Sequence, residues 1–297
     1  RTLPILSLDT GLIFERNTGW FGRAAQQTLE PRLFYAYIPY RNQSTLPNFD
    51  SALADLNYAQ LFTENIYSGS DRISEANQLT AALTTRILDS ETGAERLRAA
   101  IAQRYYFSEQ RVSLPGETPR TNNATDVLAA LSAQLGRSWA IDFAAQYAAE
   151  RGELVRGTAG ARWQPRRASV LSAYYRYQAK SLAGPDSSIS QIDLSGQWPL
   201  SNRWYAVGRF NYSIQDKRLI DTVAGFEYQQ DCWLLRFVVQ RFATTAQTAT
   251  TNFYLQLELN GLTSVGASAA NLLRRNIPGY QLLNPLPREP GRFEFYE

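Results

Sequence analysis

Apolar and polar residues alternate with a period of two over segments of about 10–14 residues, and the pattern recurs down the whole chain. Between Glu95 and Phe107, Leu97, Ala99, Ile101, Tyr105 and Phe107 share one side, with Gln103 as the exception. Arg96, Arg98 and Arg104 share the other. Likewise Trp139, Ile141, Phe143 and Tyr147 oppose Asp142, Gln146 and Glu150, and Trp233, Leu235, Phe237 and Val239 oppose Arg236 and Gln240. A period of two places successive side chains on opposite faces of a strand. Such strands are longer than the roughly 5–6 residues usual in soluble sheets, and they suit the roughly 9–11 residues with which a tilted strand crosses a bilayer. The pattern predicts about thirteen strands, near 2–16, 27–39, 77–89, 94–108, 125–136, 138–151, 153–165, 168–180, 188–199, 203–216, 218–230, 233–246 and 250–262. No run of 18 apolar residues occurs, so no transmembrane helix is predicted.

The connections point the same way. Short turns follow residues 89, 136, 165, 199 and 230, and they alternate with longer or more variable links, the largest at 40–76 and 109–124. Outer-membrane barrels have short periplasmic turns and longer outer loops. Trp139, Trp163, Trp198, Trp204 and Trp233 each lie within a few residues of a short turn, and Trp20 lies in a link of the same parity. Aromatic residues gather at membrane interfaces, so these tryptophans are expected to form an interfacial girdle. The fold class expected is all-β, an antiparallel transmembrane β-barrel in the outer membrane of a Gram-negative bacterium.

Composition sharpens this picture. Charged residues are 19% of the 297, and the 17 Tyr outnumber the 14 Phe. Mean hydropathy is negative, as a wall wet on one side requires. The polar faces carry bulky charge of both signs, which suits a water-filled lumen, although a soluble sandwich would show solvent the same face. Thirteen antiparallel strands cannot close on themselves with every neighbour antiparallel. With the start at Arg1, the absence of Met and the single Cys232, the expectation is a C-terminal piece of a larger barrel. Residues 1–263 would be wall, 40–76 a long extracellular or lumen loop, and 264–297 a periplasmic tail. Within that tail Leu272-Leu273-Arg274-Arg275 suggests one helical turn, with little order expected beyond Tyr280.

Candidate chemistry is sparse. There is no His, which removes the commonest general base and the His-dependent triads. No Gly-rich phosphate loop or Cys cluster is present. No catalytic, metal or cofactor site is expected, and a net charge of +3 gives no argument for nucleic acid. A conduit is expected, not an enzyme.

Several short sequences carry a resemblance. Gln27-Thr28-Leu29-Glu30-Pro31-Arg32, followed by Tyr35, Tyr37, Pro39-Tyr40-Arg41 and Gln43, is similar to the TLEPR…Y…PYR.Q signature of the LptD (OstA/Imp) family. Asn48-Phe49-Asp50-Ser51, Leu61-Phe62, Gly69, Asp71-Arg72-Ile73 and Ala76-Asn77-Gln78 continue the likeness in order. So do Gly93-Ala94-Glu95-Arg96, Gln103 to Phe107, Trp198-Pro199-Leu200, Gly225, Glu227-Tyr228, Cys232-Trp233 and Ile277-Pro278-Gly279-Tyr280.

The resemblance implies a barrel of about 26 strands, of which this chain is the second half, preceded by a periplasmic jelly-roll domain. It implies insertion of lipopolysaccharide (LPS) into the outer leaflet through a lateral gate. It also implies an LptE-type lipoprotein plug and a periplasmic LPS-transport bridge reached through the N-terminal domain. Phe253, Leu255, Leu257 and Leu259 would lie on the last strand at that gate. Cys232 would pair with a cysteine of the N-terminal domain; the family pattern has two adjacent cysteines where this chain has Asp231-Cys232.

Arg41, Gln43, Asp50, Asp71, Arg72, Arg96, Arg98 and Arg104 are the candidate lumen contacts to LPS or to the plug. Two readings stand for the loop, lumen contact or surface loop, and two for the lumen arginines, LPS attraction or pairing with lumen carboxylates. A general outer-membrane channel or importer of porin type is the functional alternative.

Overall fold

A computed structural model describes residues 2–116, 122–180, 188–244, 248–259 and 262–284. The alternating segments form β1 (Leu6–Gly11), β2 (Phe14–Trp20), β3 (Arg23–Ile38), β4 (Ala76–Asp89), β5 (Glu95–Tyr106), β6 (Val127–Leu135), β7 (Trp139–Ala148) and β8 (Glu153–Arg166). They continue as β9 (Ser169–Gln178), β10 (Ile189–Pro199), β11 (Trp204–Ser213), β12 (Arg218–Gln229), β13 (Trp233–Ala243), β14 (Ala249–Leu259) and β15 (Thr263–Gly266). Neighbours in sequence are neighbours in the sheet, except that β1 and β2 both pair with β3. Every pair with a described register is antiparallel. This is the meander that a barrel wall needs.

Among the described residues fifteen strands replace the expected thirteen, for two physical reasons. The first predicted strand is broken into β1 and β2 with no change of register. Gly11 faces Arg32 and Phe14 faces Leu29, so Leu12 and Ile13 fall opposite Pro31 and Glu30. Pro31 has no N–H to give to the ladder; only its carbonyl is used, accepting from Leu12 N at 3.0 Å. The second addition is β15, four residues that fold back on β14. The segment 250–262 is therefore not the last strand of the sheet.

The link expected around Trp20 is also shorter than its sequence suggested. Phe21 and Gly22 have φ of 46° and 78°, and they join Trp20 to Arg23 as a two-residue turn. Positive φ at both central residues matches the right-handed twist of a hairpin.

The chain divides into two compact units, one of residues 1–134 with 142–158, the other of residues 135–141 with 159–297. In the first, the segment 39–75 lies on the polar face of its strands, with Leu61 fully buried beside Ala82 and Ala102. In the second, the helix α1 (Ala269–Asn276) and the residues after it lie on the polar face. Helix α1 has eight residues rather than one turn, and hydrogen bonds hold the chain as far as Asn284. Order thus extends past Tyr280; residues 285–297 of the expected tail lie outside the described residues.

Candidate functional site

Burial is inverted along the strands. In β13, Leu234, Arg236 and Val238 are fully buried, while Trp233, Leu235, Phe237 and Val239 are only half-buried. Arg104, Gln78, Gln197 and Glu227 are buried, yet Phe253 is 69% exposed, Leu255 56% and Ile101 50%. Soluble proteins almost never bury Arg and Glu fully while leaving a contiguous apolar face open. The arrangement suits a sheet whose apolar side meets hydrocarbon.

The tryptophans of the second unit form two aromatic rows. Trp139, Trp163 and Trp198 follow one another with ring centroids 5.9 and 5.6 Å apart. Trp204 and Trp233 flank Tyr228 at 4.8 and 5.3 Å. In the first unit the Trp20 indole donates to Gln134 O at 3.3 Å.

The expected contact residues of the first unit turn mostly inward on their own loop. Asp50 accepts from Ser70 N and Asp71 N, each at 3.1 Å, while Asp71 accepts from Phe49 N at 2.6 Å and Asp50 N at 2.9 Å. Each carboxylate thus clasps the other's backbone. The Asp71 N–H, then that of Ser70, holds the Asp50 carboxyl below the usual carboxylate range. Gly69 is needed at the crossing: its φ is +74°, and a Cβ there would lie 2.5 Å from Asp50 O. Gln43 exchanges two hydrogen bonds with the Ile73 backbone. Arg72, buried, donates to Leu46 O at 2.8 Å.

Arg104 fastens the loop to the sheet. One terminal nitrogen reaches Gln60 O and Leu61 O at 2.8 Å and Thr63 O at 3.0 Å, and its Nε reaches Thr80 Oγ1 at 3.3 Å. These carbonyls lie at the end of the short 3-10 turn Gln60–Phe62, where Gln60 O also accepts from Thr63 and Leu61 O from the Thr80 hydroxyl at 2.6 Å. Phe62 packs under the Arg32 guanidinium at 3.9 Å, and Asp55 makes a two-pronged pair with Arg156 at 2.9 and 3.0 Å. That pairing, above all, keeps the Asp55 carboxyl below its ordinary range.

The other named arginines differ. Arg96 pairs with Asp89 at 2.9 Å. Arg98 is exposed and sits opposite Arg86. Arg41 is exposed, and among the described residues no ion pair holds it.

In the second unit the polar face carries a cluster that sequence reasoning did not single out as a site. Arg236 Nε donates to Glu227 at 2.8 Å and its NH1 to Glu258 at 2.6 Å. Glu227 also accepts from the Tyr280 hydroxyl at 2.6 Å and from Gln197 Nε2 at 2.9 Å. Gln197 in turn exchanges hydrogen bonds with the Gln281 backbone. Arg209 holds Asp193, Asp221 and Asn276. The motif Ile277 to Tyr280 is thus the piece of chain that closes over this cluster. Gly279, at φ +84°, leaves room for Arg162, whose Cδ would lie 2.8 Å from an added Cβ.

A sequence signal for this cover existed. Val170, Val207, Val223 and Val238 lie together and pack on Ala269, Leu273 and Ile277. Val207 and Val238 interrupt polar faces that carry Arg209 and Arg236, and apolar side chains there ask for an apolar partner.

Cys232 is exposed in the turn between β12 and β13. The expected gate residues Phe253, Leu255, Leu257 and Leu259 share the exposed side of β14. β15 pairs with the outer edge of β14 from Gln256 to Leu259, and Ala267 just beyond it donates to Leu255 O at 3.1 Å. Among the described residues no group of three or more His, Cys, Asp or Glu is placed to hold a metal ion.

Comparison with known proteins agrees with this geometry. Residues 1–204 match the protein family described as LptD, LPS transport system D. The LPS-assembly protein LptD of Azoarcus sp. strain BH72 is 48% identical over 286 residues, covering 96% of this chain and 35% of the relative. That of Thiobacillus denitrificans is 45% identical over 98% of this chain and 39% of the relative. That of Bordetella pertussis is 47% identical over the whole chain and 40% of the relative. The chain therefore spans well under half the length of the curated relatives it matches. With an antiparallel all-β fold, inverted burial and homology along its whole length, this chain belongs to the LptD family.

Proposed function

We propose that the chain forms part of the wall of an outer-membrane β-barrel that inserts LPS into the outer leaflet, acting as a conduit without catalysis. The observation that carries this reading is the inverted burial, apolar side open and charged side buried, in a chain whose relatives are named LPS-assembly proteins. The stretch of the β14 edge before Leu255, where β15 makes no pairing, supports a lateral opening bordered by Phe253. Backbone groups in hydrocarbon must find partners, so an edge paired over part of its length is suited to open and reseal. The Trp rows would lie at the periplasmic interface. An LptE-type lipoprotein would fill the lumen, and it would meet the segment 39–75 at the exposed Arg41 and the wall at the exposed Arg98 of β5. LPS would arrive over a periplasmic bridge by way of an N-terminal domain.

Depletion of the full-length parent in its host tests the role. LPS accessible at the cell surface should fall while total LPS persists; unchanged surface LPS would remove the transport role.

The same reading makes Cys232 the covalent tie to that N-terminal domain, because its turn falls on the oxidising, periplasmic side. Full-length protein run without reductant should migrate differently from the Cys232→Ser variant. Identical migration would leave the cysteine without that role.

A further inference from the structure

Four arginines on the polar faces are neutralised within the chain: Arg96 by Asp89, Arg156 by Asp55, Arg209 by Asp193 and Asp221, Arg236 by Glu227 and Glu258. Other arginines of the second unit, Arg162, Arg176 and Arg203 among them, have no carboxylate partner among the described residues, and three of this unpaired set share one place. Arg166, Arg167 and Arg274 make no ion pair with a carboxylate among the described residues. They nevertheless converge. With Gln164, Tyr280 and Gln281 they line a depression of about 710 Å³ that has no acidic side chain in its wall among the described residues.

Each of the three is oriented by a weak neutral contact or none. Arg166 gives only its Nε, to Ser169 Oγ at 3.1 Å. Arg167 gives one terminal nitrogen to Leu283 O at 3.2 Å. Arg274 is exposed near the end of α1. Tyr280 adds no negative charge: burial and the neighbouring Glu227 carboxylate push its phenol well above the ordinary value, so it stays protonated. Three like charges gathered with no counter-charge repel one another, and an anion entering between them relieves that repulsion. Guanidinium groups are suited to phosphate because their N–H forks match its oxygens.

The position of Arg166 narrows the anion further. Its guanidinium carbon is 5.9 Å from the centre of the Trp198 ring, in the aromatic row that borders the apolar face. A charged group on an apolar boundary meets the level where lipid headgroups lie.

We propose that this depression binds the phosphate ester of a membrane-anchored lipid. The inference rests on the reading of the apolar face as the lipid-facing side. It assigns to the chain a contact not contained in the eight residues first marked for LPS or plug.

The test compares full-length protein in detergent with the triple variant Arg166→Gln/Arg167→Gln/Arg274→Gln. A charge-matched control, Arg23→Gln/Arg137→Gln/Arg203→Gln, removes three exposed arginines from other turns. Heat-modifiable migration verifies that each barrel is folded. The ligands are LPS, enzymatically dephosphorylated LPS, phosphatidylglycerol and inorganic phosphate. The triple variant should lose about tenfold or more in affinity for phosphorylated lipid, as removal of charge-assisted hydrogen bonds implies, and the control less than twofold. A loss confined to LPS assigns the site to the glycolipid, and a loss shared with phosphatidylglycerol assigns it to phospholipid headgroups as well. Equal losses in the control, undiminished binding by the triple variant, or inorganic phosphate competing as tightly as the lipids would each overturn the proposal. If the triple variant fails to fold, Arg274→Gln alone, at an exposed helix position, should still weaken lipid binding about threefold, and no change would overturn it. Normal lipid binding by the variants with surface LPS still lost on depletion would sink this site alone. Weakened binding with normal surface LPS on depletion would sink the transport role alone.

Discussion

Replacing Arg236 with alanine should lower the stability of the folded wall by roughly 3–5 kcal/mol, the usual result of stranding one member of a buried ion pair. Arg236 and Glu227 are both fully buried, and Arg236 joins Glu227 to Glu258. Without it, Glu227 keeps only the Tyr280 hydroxyl and the Gln197 amide as donors. Its charge would then have to be neutralised by proton uptake or reached by water, and either route loosens the cover formed by Ile277 to Leu283. The urea midpoint for loss of heat-modifiable migration, read with its slope, gives the change. The double variant Glu227→Gln/Arg236→Leu should cost less than the single one, because the only charge it leaves without Arg236 is that of Glu258, which is partly exposed and not fully buried. A single variant within about 1 kcal/mol of the parent, the scale of an exposed pair, would mean that this cluster does not hold the second unit together.

The contrast between those two variants marks what the sequence disclosed. Glu227 and Arg236 were legible as polar-face residues, since alternation reads off faces wherever a strand is long. Their pairing was not, because it depends on register: the two residues lie opposite each other on β12 and β13. The break at Leu12-Ile13 was within reach, because Pro31 in a run of strand residues announces a missing donor. The course of the two segments that fold over the polar faces was hidden for a different reason, although Val207 and Val238 signal that the second unit has an apolar cover. Residues 39–75 and 269–284 carry no two-residue period, and what fixes them is hydrogen bonding from the sheet to their backbone. A carbonyl is present at every position and leaves no mark in a sequence. Asp50, Asp71 and Arg72 were marked as contacts for other molecules, yet the structure uses them to shape their own loop.

Arg104 shows the same principle at its strongest, and its removal should have the second large effect. In the Arg104→Ala variant, Gln60, Leu61 and Thr63 lose their shared donor, although Leu61 O keeps the Thr80 hydroxyl and Gln60 O keeps the Thr63 hydroxyl. Hydrogen bonds to a charged group contribute about 1.5–3 kcal/mol each, and the freed carbonyls recover part of that from water. A net loss of about 2–4 kcal/mol in docking of the loop follows. Since about 1.4 kcal/mol is tenfold in population, the undocked state should rise by roughly 30-fold or more, and cleavage by an added protease within 39–75 should accelerate in proportion. The strands themselves should hold, because β4 and β5 keep their backbone ladder, so heat-modifiable migration should survive. Arg104→Lys keeps the charge without the fork of donors, and its cleavage rate should fall between those of the parent and the alanine variant. Equal cleavage rates in all three proteins would mean that the hydrophobic seat of Leu61, with Arg32 over Phe62, holds the loop without help from Arg104.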